Sequence, residues 1–199
     1  RGAVKEDTQH CSTHDFGLDI IPAMLRKGKK IVVYDFTKNR VSGLSPDQAG
    51  YWRDIGDLDQ FYQANMDVRR VVPPLNLYNP DWDILSYPEA IQPAKAVGDV
   101  AVHSSIIAPG CIISNARVEH SVISYNTVIA EEAKVDGAVL LGRNVVGRGA
   151  LVQNAIIDRG VKIPEGEKIG VDREQDRLRF ELSDAGVVVV PAEYAFPAT

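Results

Sequence analysis

Two short motifs in the first third of the chain carry the residues best suited to chemistry. One is His14-Asp15-Phe16-Gly17, and the other is Trp52-Arg53-Asp54-Ile55-Gly56. In each motif a carboxylate stands beside or near an aromatic residue and ahead of a glycine. The carboxylate can bind a divalent metal ion or a sugar hydroxyl, the ring can pack on a sugar face, and glycine lets the backbone approach a ligand. The alternative is that Asp15 and Asp54 are N-caps of the helices that follow, because aspartate is a preferred N-cap residue.

The residues around these motifs predict a mixed α/β region over residues 1–70. A short helix is expected to end at Lys27-Gly28-Lys29, where glycine suits the C-cap. The β-branched and aromatic run at residues 30–36 predicts a strand. After the second motif, apolar residues at helical spacing predict a helix with one buried face. These residues are Leu58, Phe61, Tyr62 and Met66.

The character of the chain changes at residue 71. Residues 71–96 contain five prolines, which predicts an extended connector. From residue 97 onward an aliphatic residue recurs every five or six positions, and small residues fill most positions between. Neither a helix nor an alternating strand has this period, whereas a solenoid coil with three short flat sides does. The inward-facing residues are expected to be Ile107, Ile113, Val118, Ile123, Ile129, Val135, Leu141, Val146, Val152, Ile157, Ile163 and Ile169.

Hexapeptide repeats of this type build a left-handed parallel β-helix, here of about four coils, as an exception to the right-handed crossover rule. A β-sandwich is the alternative, but it would need longer alternating runs and hairpin turns. Cys111 falls beside an inward position and is expected to fill the core, whereas Cys11 is expected in a loop. The valines at 187–190 predict one more strand, which would cap the open end of the solenoid.

Composition excludes several classes of protein. The net charge is −5, so that no basic surplus exists to bind nucleic acid. No apolar run approaches the roughly 20 residues of a membrane-spanning helix. The two cysteines are far apart in sequence, which argues against a disulfide scaffold and fits a cytoplasmic protein. The first residue is Arg1 rather than Met, which together with the motifs leads us to expect a fragment.

The motifs together resemble the C-terminal half of the bacterial glucose-1-phosphate adenylyltransferases, also called ADP-glucose pyrophosphorylases. The resemblance runs from about His14 to about Val190. Besides the two motifs it rests on residues 62–67, 93–95, 136–141, 157–159 and 163–166. It implies an α/β fragment of a Rossmann-like nucleotidyltransferase domain over 1–70. The connector at 71–96 would then lead to a left-handed parallel β-helix over 97–199 with a C-terminal capping strand.

The resemblance implies Mg2+-dependent transfer of AMP from ATP to glucose 1-phosphate, which gives ADP-glucose and pyrophosphate for glycogen synthesis. The sugar-phosphate oxygen would attack the α-phosphorus in line, and Mg2+ would offset the developing charge. Carried over by position, Asp54 would bind the catalytic Mg2+. The residues expected to line the glucose 1-phosphate pocket are Asp15, Phe16 and Trp52.

In the same family the β-helix mediates subunit contacts and contributes to a site for anionic effectors such as sugar phosphates. Arg159 matches an arginine that contacts the activator, and the planar fork of arginine suits phosphate. The alternative is that Arg159 is a solvated corner residue. A second family arginine aligns with Ala192, so the effector set is expected to differ. The resemblance further implies a homotetramer, whereas it is the composition that argues against a nucleic acid or membrane partner.

This sequence also departs from the family pattern. The Gly-rich nucleotide loop, the first metal aspartate and the substrate lysine lie upstream of these motifs in the family and have no counterpart here. We therefore expect the 199-residue chain to lack the ATP site and to be inactive alone. Two other functions stay open: a regulatory subunit without turnover, and a hexapeptide-repeat acyltransferase with His120 as its catalytic histidine.

Overall fold

The computed structural model describes residues 2–7, 12–46, 48, 50–85 and 90–197. The chain divides into two compact units, Arg1–Asn39 and Arg40–Thr199. Cys11 lies outside the described residues. Among the described residues, no helix combines the length and the apolar character needed to cross a membrane.

The first unit consists of short helical segments. They are α1 (Gly2–Asp7), a π-helix (Phe16–Ile20), α2 (Ile21–Arg26) and a 3-10 helix (Phe36–Lys38). Helix α2 ends where the sequence predicts, because Gly28 adopts a φ of 64° and its N–H donates to the carbonyl of Leu25 at 2.9 Å. This left-handed backbone is the one that favours glycine after a helix.

The strand predicted over residues 30–36 is wrong: these residues form no strand, and Phe36 begins the 3-10 helix. The side chain of Val33 is 89% exposed. A strand is stabilised by hydrogen bonds to a neighbouring strand. Among the described residues, none before Lys95 forms a strand with which this segment could pair. The β-branched composition alone therefore does not produce the strand.

The second unit begins with helix α3 (Leu58–Val68). The prediction of this helix is confirmed, with Tyr62 and Met66 buried on the face that the periodicity indicated. Between Val71 and Pro93, the described residues form turns and bends but no helix or strand, as the prolines predict. Tyr87 and Pro88 of this connector lie outside the described residues.

From Lys95 onward the chain winds through short strands. The strands are β1 (Lys95–Val97), β2 (Ala101–His103), β3 (Ile106–Ile107), β4 (Ile112–Ser114), β5 (Arg117–Glu119), β6 (Val122–Ile123), β7 (Val128–Ile129), β8 (Lys134–Leu140), β9 (Val145–Val146), β10 (Leu151–Ile157), β11 (Lys162–Ile163) and β12 (Lys168–Ile169). Helix α4 (Arg173–Arg177) and the strands β13 (Glu181–Leu182) and β14 (Val188–Val190) follow.

The strands from β1 to β12 pair in parallel, each with the strand one coil away. In the sheet of β1, β4, β7, β9 and β11, Ile112 pairs with Val128, and Val128 pairs with Val145. One coil therefore takes 16 or 17 residues. Five stacked strands correspond to about four coils between them. The predicted parallel β-helix of hexapeptide repeats is confirmed.

The β-helix core follows the predicted aliphatic positions with one correction. Ten of the twelve predicted residues are buried, Ile107 is partly buried against the core, and Cys111 fills the core as expected. The prediction for Leu141 is wrong, because Leu140 takes the inward position between Ile123 and Ile157. Leu141 packs outside, beside helix α3. A slip of one residue along a strand moves a side chain to the opposite face.

The C-terminal segment covers one end of the β-helix. Strand β14 continues the sheet beside β10, and β13 then pairs with β14 in the antiparallel direction. Phe180, Tyr194 and Phe196 form an aromatic cluster against the core, in which the ring centroids of Phe180 and Tyr194 are 4.8 Å apart. The valine run thus forms a strand, although Val187 lies just outside it.

Helix α3 is fixed to the outside of the β-helix. A buried cluster joins the apolar face of the helix to the outside of the solenoid. The helix contributes Tyr62 and Met66, and the rest of the unit contributes Val139, Ile156 and Val187. The Tyr62 hydroxyl donates to the carbonyl of Gly137 at 2.6 Å, and burial raises the pKa of this tyrosine. The carboxylate of Asp59 accepts hydrogen bonds from the Ser183 hydroxyl and, at 3.0 Å, from the N–H of Ala185.

Candidate functional site

The first motif forms a tight turn at the start of the π-helix. Asp15 is the N-cap, and its Oδ1 accepts a hydrogen bond from the N–H of Leu18 at 2.7 Å. The carboxylate of Asp19 accepts from the N–H groups of Thr13 at 3.0 Å and Asp15 at 3.3 Å. The hydrogen bond from the Thr13 hydroxyl is the main cause of the lowered pKa of Asp19. Asp15 therefore caps the helical segment, as the N-cap alternative predicts. This hydrogen bond stabilises the turn that the motif forms.

The side chain of Phe16 is 62% exposed beside this turn. His14 adopts a left-handed φ of 62°, and its Nδ1 lies 2.7 Å from Oδ2 of Asp7. The unit also contains a cleft of about 520 Å³ between its helices, which neither Asp15 nor Phe16 lines. The motif thus presents an aromatic ring and a capping carboxylate at the surface of the first unit.

The second motif is tied to helix α3 through Arg53. Its Nη1 donates to Oε1 of Gln60 at 2.9 Å, and its Nη2 pairs with Asp67, which is only 2% exposed. Arg70 pairs with the other oxygen of Asp67 at 2.9 Å. Hydrogen bonding to Tyr51 and to Asp67 raises the pKa of Arg53 further, so the guanidinium stays charged. The sequence motif did not identify Asp67, because this contact depends on packing rather than on local spacing.

Asp54 and Trp52 lie on either side of this anchored arginine. The Trp52 side chain is 74% exposed, and Asp54 is exposed as well. Asp54 is not the N-cap of α3, since Asp57 has that role and accepts from the N–H of Gln60 at 2.7 Å. Asp57 three residues ahead of Gln60 is the spacing that could have revealed this cap. With the described residues, Asp54 makes no hydrogen bond or ion pair.

Arg159 lies at an exposed corner of the β-helix. Its Nη2 donates to the hydroxyl of Tyr125 at 2.8 Å, and its guanidinium carbon is 5.3 Å from the centroid of that ring. This distance is within the range of a cation–π contact. Asp158 accepts from the N–H of Arg159 at 2.6 Å and from the N–H of Ala192 at 3.3 Å. The structure therefore brings positions 159 and 192 together around one carboxylate.

One group of described residues could hold a metal ion by distance alone. The ligand atoms of Glu119, His120 and Asp136 lie within 4.8 Å of one another. His120 is already paired with Asp136, with 2.9 Å between Nδ1 and Oδ1, and both side chains are about half exposed. A hydrogen bond between two half-exposed side chains accounts for the contact of His120 with Asp136, and the sequence gives no metal-binding spacing at these positions.

Comparisons with known proteins agree with the two parts of the chain. The family model described as "Nucleotidyl transferase" matches residues 2–71, and the one described as "GlmU-like, C-terminal hexapeptide" matches residues 92–190. The chain therefore joins a segment similar to nucleotidyl transferases to a hexapeptide β-helix.

Relatives of the chain include proteins named glucose-1-phosphate adenylyltransferase. The protein of that name from Corynebacterium jeikeium is 45% identical over 190 residues, which are 94% of this chain and 47% of the relative. The one from Corynebacterium diphtheriae is 44% identical over 94% of this chain and 44% of its own length. Glucose-1-phosphate adenylyltransferase 2 from Vibrio cholerae is 41% identical, over 98% and 48% of the two chains.

These matches confirm the resemblance that the motifs predict. The chain spans about half the length of the curated relatives it matches.

Proposed function

We propose that this chain supplies the sugar-phosphate part of a glucose-1-phosphate adenylyltransferase, which transfers AMP from ATP to glucose 1-phosphate and releases pyrophosphate. The observation that carries this proposal is the 45% identity to a relative of that name over 94% of the chain. Both motifs lie within the residues that the nucleotidyl transferase family model matches. In this proposal the chain divides into a catalytic part at 1–70, a connector at 71–96 and the β-helix with its capping strand at 97–199.

The proposed roles of the site residues come from the resemblance to the family, and the exposure of their side chains supports them. Asp54 is an exposed carboxylate without a described partner, which is the hard oxygen ligand that Mg2+ prefers. When bound there, Mg2+ would offset charge on the phosphate oxygens. The exposed rings of Phe16 and Trp52 are free to pack on a sugar, and Asp15 would bind a sugar hydroxyl.

Release of pyrophosphate tests this proposal directly. We would replace the matching segment of the Corynebacterium jeikeium relative with this chain and assay the chimera with Mg2+, glucose 1-phosphate and ATP, UTP or dTTP. Turnover is expected with ATP, whereas the 199-residue chain assayed alone should release none. A folded chimera without turnover would favour the regulatory-subunit function instead.

We also propose that the β-helix serves in regulation and assembly. The contact of Arg159 with Tyr125 supports a role in binding anionic sugar-phosphate effectors, because it holds the guanidinium at the surface. A homotetramer is the proposed assembly. A surface suited to a subunit contact is an exposed ladder of aliphatic side chains that lie one coil apart: Ile112, Val128 and Val145.

Arg159→Ala in the chimera is expected to leave turnover without effector unchanged and to weaken activation at least about tenfold, since one charge-assisted contact to phosphate contributes roughly 1.5–3 kcal/mol. The measurement is the concentration of sugar phosphate that gives half-maximal activation, determined for a panel of sugar monophosphates and bisphosphates. Arg117→Ala, which removes an exposed arginine of strand β5 away from Tyr125, is the matched control and should leave activation unchanged. An unchanged activation curve for Arg159→Ala would show that Arg159 does not bind the effector and is a solvent-exposed corner residue.

A further inference from the structure

We propose that the ion pair between Arg53 and Asp67 positions Trp52 and Asp54 for the reaction, with helix α3 as its fixed base. Arg53 and Asp67 are positioning residues in this proposal, because they act through their neighbours rather than by touching the substrate. The inference rests on the proposed function, since it assigns a purpose to the same site.

Asp67 is buried, so its negative charge requires positively charged partners. Its side chain is 3% exposed, and a buried carboxylate is costly unless its charge is compensated. Both oxygens are paired, one with Arg53 and one with Arg70. The two arginines differ in origin, because Arg70 follows Asp67 by three residues, just after the end of the same helix, whereas Arg53 reaches it from the motif. Of the two ion pairs, it is therefore the one with Arg53 that ties the motif to the helix.

The backbone of the motif makes no hydrogen bond of its own with the described residues. Residues 51–56 form no helix or strand. Adjacent Cα atoms are about 3.8 Å apart across a trans peptide, so fixing Arg53 restricts both of its neighbours. The contacts of the Arg53 guanidinium with Gln60 and Asp67 are thus the anchor of Trp52 and Asp54.

Helix α3 is a suitable base because long-range contacts hold it in turn. The Tyr62 hydroxyl bonds to Gly137, 75 residues away, and Asp59 accepts from Ala185, 126 residues away. Met66, next to Asp67, is buried in the cluster between the helix and the solenoid. Helix α3 therefore connects Asp54 to the β-helix. An effector bound to the β-helix would have a physical connection to the site through the same helix.

Fluorescence anisotropy tests the anchor without any enzymatic activity. The chain contains two tryptophans, so Trp82→Phe leaves Trp52 as the single reporter. In that background, Arg53→Gln and Asp67→Asn should lower the anisotropy of Trp52, because the motif would move more freely. Arg70→Gln removes a partner of the same carboxylate but no contact of the motif, and it should leave the anisotropy unchanged. Circular dichroism would verify that the β-helix stays folded in each variant.

Kinetics of the chimera test the consequence for the reaction. Arg53→Gln should lower kcat about 100-fold, since a displacement of about 1 Å can cost that much, while KM for ATP changes less than threefold. Arg53→Lys keeps the charge but not the fork of donors, and it should recover part of kcat. Arg70→Gln should retain normal turnover.

The two arms separate the possible failures. Equal anisotropy and equal kcat in Arg53→Gln and Arg70→Gln would overturn the positioning role. If Asp67→Asn does not fold, the milder Arg53→Lys variant decides the anisotropy arm. A folded chimera that shows no turnover before mutation would reject the proposed function instead, while the anisotropy would still decide whether the pair anchors the motif.

Discussion

Asp54→Asn in the active chimera is expected to lower kcat about 1,000-fold, which corresponds to about 4 kcal/mol of transition-state stabilisation. Asparagine keeps the shape of the side chain but removes the charge with which Asp54 would hold Mg2+. A ligand of this kind acts mainly on the charge that develops during the transfer. Because Asp54 is exposed and has no described partner, the substitution should leave the fold intact. The measurement is pyrophosphate release at saturating Mg2+.

Asp57→Asn is the matched control for this substitution. Asp57 lies three residues farther along and caps α3, and asparagine is an equally good N-cap residue. This variant should therefore keep both its helix and its kcat. Near-normal turnover of Asp54→Asn would contradict the assignment of Asp54 to the metal, whereas an equal loss in both variants would indicate a general disturbance of the segment.

Gly170→Ala is expected to cost about 4 kcal/mol or more of unfolding free energy, or to prevent folding. Gly170 has a φ of 75°, and an added Cβ would lie 1.7 Å from the carbonyl oxygen of Gln153. Backbone atoms of the neighbouring coil cannot move aside without breaking the ladder between β10 and β12, which pairs Val152 with Ile169. The measurement is the midpoint and slope of urea unfolding of this chain.

Gly160→Ala separates the clash from the backbone strain. Gly160 has nearly the same φ of 77°, but an added Cβ would meet nothing within 4 Å. Only the left-handed backbone then opposes alanine, at a cost of about 1–2 kcal/mol. If the two variants lost the same free energy of unfolding, close packing between the coils would not be the reason that position 170 requires glycine.

The sequence predicts the β-helix well because its signal is local and repeated. Each buried aliphatic residue follows the previous one by five or six positions, so that most of the core can be assigned without knowledge of the tertiary structure. The exception is informative. Leu140 and Leu141 both satisfy the spacing, and only the stacking of Leu140 between Ile123 and Ile157 decides between them.

The sequence predicts those residues of the candidate site whose side-chain types indicate a chemical role. It does not predict the contacts that depend on tertiary packing. The motifs identify Asp15 and Asp54, and the structure distinguishes them by making only Asp15 a cap. The bond between Arg53 and Asp67 joins residues 14 apart in sequence, and no local pattern indicates it. The residues at 30–36 show that composition alone can also mislead. Their composition favours a strand, but no described segment pairs with them.

The coil of 16 or 17 residues restricts how the length of this protein can change. Removing one residue from a strand would move every following side chain of that strand to the opposite face of the sheet. Removing a whole coil would bring equivalent residues back into register. Between these extremes, only the corners can take up an extra residue. Lineages that carry this β-helix should therefore differ in length by steps of about one coil or by insertions at the corners.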